Sequence, residues 1–358
     1  MTLYIGVDFH PHQQTACWCD TETGEIMTRT LFHNTEELTK FYQQMPASIV
    51  GIEATSKATW FEQMLFDNKH QLIVGNPNVI RKRAISRHKN DNRDARHIFD
   101  LLIRGDFPTL WRKPQASIDI LEIVRLRHNL VKQRTQTANR LQALAHQSGL
   151  RKGKIKSILF QTTLKNVEID ENFAFQRELL FEMWENFNQK ISKLELWLQE
   201  KANESEQVKL LQTQSGVGYL TALCLINTVG DVSRFDKPAK QVVAFIGLDP
   251  LDESSGSKVK FGRISKAGSP ILRFLLGQAA QTASRFDQKL KAKYRQLTKK
   301  KHKAVAKTAI ARKLLVKLVI MLRDKITATE FDERGRTVGN ARGTRGLKQS
   351  EKPEMTVA

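Results

Sequence analysis

Two short apolar runs near the start of the chain each end in an acid. Leu3–Asp8 (ending Ile5-Gly6-Val7-Asp8) and Ser48–Glu53 (ending Val50-Gly51-Ile52-Glu53) are rich in β-branched residues and bounded by polar sequence, so both predict strands. A carboxylate closing a buried strand is costly unless something offsets its charge. The pattern therefore predicts a sheet whose strand ends bring acids together.

The surrounding sequence fits that sheet. Thr15–Cys19 and Ile26–Phe32 flank Glu22-Thr23-Gly24 as the arms of a hairpin. Asn34 or Thr35 opens a helix that runs to Met45, with Glu36 and Glu37 in its first turn. Thr59–Asn68 predicts a second helix, Gln71–Gly75 another strand, and a third helix starts near Asp91 after the basic segment Arg81–Lys89. The order β-β-β-α-β-α-β-α is that of a layered α/β domain with a mixed sheet, spanning residues 1–114.

From residue 115 to 205 the texture changes to long helices. Ile118–Ser148 is one. In a second, Leu180, Trp184, Phe187, Ile191, Leu194 and Leu198 recur at steps of four and three, a helix-packing or dimer seam. Gly153–Asp170 separates the two. A further domain, residues 206–330, opens on Ser215-Gly216-Val217-Gly218 between two apolar helices. Gly216 and Gly218 there could expose N–H groups to a phosphate as in a helix–hairpin–helix, or simply end a helix in a plain turn. Residues 331–358, rich in Gly, Arg and Thr, predict a disordered basic tail.

Charge narrows the partners. With 58 Lys and Arg against 37 Asp and Glu the net charge is +21, which points to nucleic acid or an anionic membrane surface. Between Gly256 and Glu330 there are 20 Lys or Arg and only 3 acids, so most of the excess occupies one segment. Its Lys-rich, aromatic-poor stretch Lys289–Lys307 suits phosphate contact better than base stacking. No run is long and apolar enough to predict a membrane span, and the N-terminus does not read as a signal peptide. Three cysteines without metal-ligand spacing fit a reducing cytoplasm rather than a disulfide framework or zinc site.

Asp8 and Glu53 are joined by Asp91 and Asp94, three apart at a helix start and so on one face. Four acids in this β/α order are the set an RNase H-like domain uses to hold Mg²⁺, a hard cation satisfied by a few carboxylates and water. Two such ions can stabilise both the attacking and leaving oxygens of a phosphodiester. Asp91 and Asp94 alone could simply favour the helix dipole. Arg81, Arg83, Arg87 and Lys89 would supply phosphate contacts beside the acids, whereas His10 and His12 read as edge or surface residues rather than ligands. Downstream, Ser254-Ser255-Gly256 stands among Lys258, Lys260, Arg263, Lys266 and Arg273, where a hydroxyl could attack phosphorus with cations stabilising the developing charge.

Gly-Val-Asp-Phe-His, Gly-Ile-Glu-Ala-Thr and Lys-Asn-Asp-Asn-Arg-Asp-Ala-Arg together resemble the DEDD signature of bacterial transposases of the insertion-sequence 110 and 1111 group. The Gly-Val-Gly turn, Ile-Gly-Leu-Asp-Pro, Ser-Ser-Gly and Ile-Ser-Lys-Ala-Gly-Ser-Pro resemble that group's second domain. The resemblance runs from about Leu3 to Arg323. It implies a RuvC-like, RNase H-like N-terminal domain, a helical coiled-coil middle and a mostly helical C-terminal transposase domain. It also implies metal on Asp8, Glu53, Asp91 and Asp94, and Ser255 as nucleophile with Ser254 the rival assignment. Implied partners are donor and target DNA, a structured guide RNA from the element itself, and further copies of the chain as a dimer or tetramer. The site of action would be the bacterial cytoplasm, at the nucleoid. The acidic Leu251-Asp252-Glu253 departs from the group's pattern beside that serine.

Other readings share some of these features. A RuvC-like junction or strand nuclease would use the acids with water as nucleophile and leave no covalent intermediate. An actin-like kinase would need a second glycine-rich phosphate loop, and Gly262–Gly268 is too basic and sparse for one. An architectural nucleic-acid binder would explain the charge but not the acids.

Overall fold

The structure is a computed structural model describing residues 3–334 except 21–22, 56–57, 84–89, 151, 169 and 254–260. The chain divides into two compact units, Met1–Arg112 and the remainder from Lys113 onward.

The first unit is built on β1 (Leu3–Phe9), β2 (Gln13–Cys19), β3 (Ile26–Phe32), α1 (Glu36–Gln44), β4 (Ser48–Glu53), α2 (Thr59–Asp67), β5 (Gln71–Gly75), α3 (Pro77–Arg83) and α4 (Asp91–Ile103). The sheet order is β3-β2-β1-β4-β5, antiparallel through β3, β2 and β1 and parallel from β1 through β4 to β5. This is the mixed α/β sheet expected of an RNase H-like domain. α3 was not anticipated from the sequence, because its run Pro77–Arg83 is dominated by basic residues at one end and buries only Ile80.

Alternation along β1 sorts its side chains onto two faces. Ile5 and Val7 join Val50 and Ile52 against Phe41 and Tyr42 of α1 and Phe61 and Leu65 of α2. The opposite face carries Tyr4, Gly6 and Asp8. Gly6 is in register with Gly51 of β4, and both lie under α4. A Cβ on Gly6 would stand 2.3 Å from the Phe99 nitrogen and 2.5 Å from the Ala95 oxygen, and one on Gly51 would stand 2.8 Å from Leu102 Cδ1. The bare backbone at these two positions lets the helix settle directly on the sheet.

The second unit begins with α5 (Gln115–Gln147), α6 (Ile158–Asn166) and α7 (Glu171–Asn203). Arg127 pairs with Glu195 and Arg134 with Asn188, seven residues forward on one helix and seven back on the other, so α5 and α7 run antiparallel. Ile191 and Leu198 of the apolar seam are buried, and the seam packs within the chain against α5. α6, which falls in the stretch read as a separator, buries Phe160 and Leu164 against Leu141 and Phe181 at the far end of the pair.

Next come α8 (Glu206–Gln212), α9 (Tyr219–Val229), a 3₁₀ turn (Val232–Arg234), α10 (Pro238–Ile246), β6 (Pro250–Asp252), β7 (Phe261–Ile264), α11 (Pro270–Phe286), α12 (Gln288–Thr298) and α13 (Lys303–Asp324). Their core centres on α13, where Ile310, Leu314, Leu315, Leu318 and Val319 are fully buried. α5 and α7 also pack on α9, joining the long helices to this core. Among the described residues no helix is long and apolar enough to cross a membrane.

Candidate active site and nucleic-acid surfaces

Asp8 projects from the α4 face of β1, the same face as Gly6. Glu53 occupies the matching end of β4, one residue beyond the Val7–Ile52 pair. Asn90 caps α4 by accepting from the Asn92 N–H at 3.0 Å, which sets the first turn and its acids Asp91 and Asp94. Asp8, Glu53 and Asp94 line one cavity of about 500 Å³, together with His10, Arg81 and His97.

Ionic contacts within the cavity are close. His10 Nε2 lies 3.1 Å from Asp8 Oδ2 and 3.7 Å from Asp91 Oδ1. One ligand atom from each of Asp8, His10 and Asp91 falls within 4.8 Å of the others. Arg81 reaches Glu53 Oε1 at 2.9 Å. Burial pushes the Asp8 carboxyl above the ordinary carboxylate range; His10 opposes this, and Asp94 and Asp91 add to it. Converging negative charge with a half-buried member is relieved by a cation, and carboxylate oxygens with one imidazole suit a divalent metal. The residues present fit such an ion.

His10 is the residue that sequence reasoning set aside. It lies at the end of the strand two positions beyond Asp8, so strand periodicity puts it beside the acids, and that spacing was the available signal. His12 is exposed, as expected of a surface residue.

The residues proposed for phosphate contact behave differently from one another. Arg81 is engaged with Glu53, and Arg83 donates through Nη1 to the Asp106 carbonyl. Arg87 and Lys89 lie outside the described residues. Gly216 has φ +91°, and a Cβ there would stand 2.7 Å from both Ala279 O and Ala283 N, so it serves the packing of this turn on α11. Gly218 is exposed with open space around it and caps α9. Arg273 donates to three carbonyls, Ile246 O (2.9 Å), Ala267 O (3.3 Å) and Gly268 O (3.1 Å), and so clamps the loop before α11. Arg263 and Lys266 line a second cavity, of about 920 Å³, with Lys301, Arg312 and Glu253. Ser254, Ser255, Lys258 and Lys260 lie outside the described residues.

Comparison with known proteins decides the family. Residues 5–148 match a DEDD transposase family and residues 208–295 match the family described as "Transposase IS116/IS110/IS902 family". The transposase for insertion sequence element IS1111A of Coxiella burnetii is 31% identical over 287 residues, 78% of each chain. The chain belongs to the IS110/IS1111 family of DEDD transposases. Two further relatives agree. The transposase for IS1328 of Yersinia enterocolitica is 25% identical over 77% of this chain and 82% of its own. A probable family 20 transposase of Pseudomonas aeruginosa is 26% identical over 68% and 74%.

This transposase is therefore a DNA transposase of an insertion sequence, with DNA as its substrate. Its carboxylate cavity lies in the segment matched by the DEDD family, and its Asp8–His10–Asp91 cluster marks a divalent-metal site.

Proposed function

We propose that the transposase cuts and rejoins DNA by transesterification, with Ser255 as the nucleophile and Ser254 as the rival assignment. Asp8, Glu53, Asp91 and Asp94 would hold Mg²⁺, with His10 beside them. The observation that carries this reading is the convergence of Asp8, Glu53 and Asp94 on one cavity with Asp91 at its edge. Bound there, the metal supplies Lewis-acid polarisation of the scissile phosphate.

The remaining roles belong to the chain's own residues. The serine Oγ bonds to phosphorus as the bond from phosphorus to one DNA oxygen breaks, and the serine proton passes to that departing oxygen. The phosphoserine DNA linkage keeps the energy of the broken bond, so a second DNA hydroxyl can reverse the step at a new junction. Arg263 and Lys266 would hold backbone phosphate near the serine loop.

We assign sequence choice to a structured RNA encoded by the element, pairing with donor and target DNA. Delegating readout to base pairing fits a strongly basic sequence, net charge +21, with no zinc-finger ligand spacing. Active sites would be completed between copies in a dimer or tetramer. The organisation proposed is an RNase H-like domain over 1–114, a helical connector over 115–205 and the serine-bearing domain over 206–330.

Denaturing gels of the protein incubated with element-end DNA and Mg²⁺ test the mechanism. A covalent protein–DNA species should form, vanish in Ser255→Ala and persist in Ser254→Ala. Cleavage without any adduct would favour the water-using nuclease reading. Strand exchange surviving Ser255→Ala would reject the serine assignment.

A further inference from the structure

α2 buries Phe61 and Leu65 against the sheet, and Trp60 stands one position off that stripe. Trp60 shares its helix face with Gln63 and Asp67, which are exposed and hydrogen-bonded to each other at 2.9 Å. The helix period therefore puts the bulkiest side chain of α2 on a polar face, where it is 44% exposed. What distinguishes it from a scattered surface residue is its setting.

The indole is held by other rings. Its centroid lies 4.9 Å from that of His33, 5.8 Å from Phe61 and 6.0 Å from Phe9. These neighbours come from the turn after β3, from α2 and from β1, and packing on three elements restricts the rotamer. His33 is itself fixed, its Nδ1 donating to the Pro11 carbonyl at 3.3 Å. Burial pushes the His33 imidazole below its ordinary range, so this supporting ring is uncharged at neutral pH. The indole N–H has no hydrogen-bond partner among the described residues, which leaves a donor as well as a ring for a ligand.

Phe9 joins this cluster to the carboxylate site. It touches Trp60 and also lines the cavity of Asp8, Glu53 and Asp94. The cavity lining continues from Glu53 through Ala54 and Thr55 toward α2, which starts at Thr59. A DNA strand whose phosphate occupies the acid cavity therefore has a base within reach of the ring across the end of the sheet. Aromatic side chains are the platforms on which unpaired bases stack.

We propose that Trp60 is a base-stacking residue of the transposase: a nucleobase beside the phosphate at the acids leaves its own stack and lies on the indole, which fixes the register of the strand across the metal site. This role rests on the carboxylate cavity being the place of the scissile phosphate. The ring serves position rather than sequence choice, because every base has a face to offer.

Binding of the full chain to single-stranded element-end oligonucleotides tests it, with Ca²⁺ replacing Mg²⁺ to hold the strand uncut. Titration should quench tryptophan emission, and the quenched part should be missing in Trp60→Phe, whose smaller ring can still stack. Trp60→Ala should weaken binding by about 5- to 150-fold, the worth of one stacked base. An abasic nucleotide stepped along the strand should weaken binding by the native chain at one position beside the cleaved bond. At that position Trp60→Ala should cost no more than about twofold further. The salt slope of binding should match that of the native chain, because no charge has been removed.

An equal loss in Trp60→Ala at every abasic position, no quenching beyond that of Trp60→Phe, or a reduced salt slope would each overturn the assignment. Quenching that follows protein concentration rather than DNA would set Trp60 against another copy of the chain and overturn it too. Strand cleavage by Asp8→Asn in Mg²⁺ reports on the acids separately. Cleavage retained there rejects the carboxylate site, whereas cleavage lost there with no position-specific abasic effect rejects Trp60 alone.

Discussion

Gly6 and Phe99 are in backbone contact: a Cβ on Gly6 would stand 2.3 Å from the Phe99 nitrogen. This closeness sets how near α4 lies to β1, and therefore how near Asp91 and Asp94 come to Asp8. Gly6→Ala should destabilise the first unit by about 1–3 kcal/mol, toward the upper end because the obstacles are backbone atoms. It should also weaken divalent-metal binding, since the two halves of the acid set move apart. Calorimetric unfolding with and without Mg²⁺ checks both effects. A Gly6→Ala chain with native stability would refute the contact.

Asp8→Asn should separate stability from metal binding. Burial raises the Asp8 pKa in the fold above its unfolded value, so the folded state binds this proton more tightly. Its contribution to stability is then present at low pH and is lost as pH rises through the raised pKa. At neutral pH without metal, the ionised carboxylate costs the fold stability, and removing its charge should raise Tm. The same substitution should abolish the Tm increase produced by Mg²⁺ and all strand cleavage. If Asp8→Asn instead lowered Tm in EDTA, the carboxylate would be stabilising the metal-free fold and the direction of its pKa shift would be wrong.

Lys317 and Asp287 form an ion pair at 3.4 Å, with side chains only 7% and 8% exposed. Lys317 also meets Asp332 at 2.9 Å. Burial alone would raise the Asp287 pKa, but the Leu290 N–H, the Lys317 charge and the Gln214 amide outweigh it and the net direction is down. The resulting stability is present above the ordinary carboxylate pKa and is lost as pH falls below about 4 through the depressed value. Lys317→Met should cost about 3–5 kcal/mol, because it leaves Asp287 buried without its cation. Lys317→Met combined with Asp287→Leu should recover most of that loss, and acid titrations of Tm would show whether the low-pH loss disappears with the pair.

Arg273 belongs to the loop architecture. Its guanidinium holds three carbonyls between Ile246 and Gly268, next to Gly247 (φ +75°) and Gly268 (φ +66°). Arg273→Ala should lower stability by about 1–3 kcal/mol through the unsatisfied carbonyls. The salt slope of DNA binding should stay unchanged. A slope reduced by about one unit with native stability would return Arg273 to the phosphate-contact role expected from sequence.

Much of the first unit was legible in residue order. Strand-length apolar runs marked β1, β4 and β5, the hairpin arms marked β2 and β3, and the Asn90 cap with its two acids marked the start of α4. α3 was missed because its short run buries only Ile80, and α6 because two of its apolar residues, Ile158 and Leu159, are exposed and blur the buried face made by Phe160 and Leu164. Arg81, read as a phosphate contact, is held by Glu53, a partner 28 positions away that no local pattern announces.

Alternation and end-position put Asp8 and Glu53 at neighbouring strand ends, because a strand's two-residue repeat and its hydrophobic run are local properties of the chain. The family signature was likewise readable as ordered motifs. Tertiary structure alone decided that His10 sits between Asp8 and Asp91, that Gly216 packs on α11, and that Arg273 is spent on carbonyls. Each depends on which distant backbone or side chain arrives within a few ångströms. That is settled by packing of whole elements against one another rather than by the preferences of neighbouring residues.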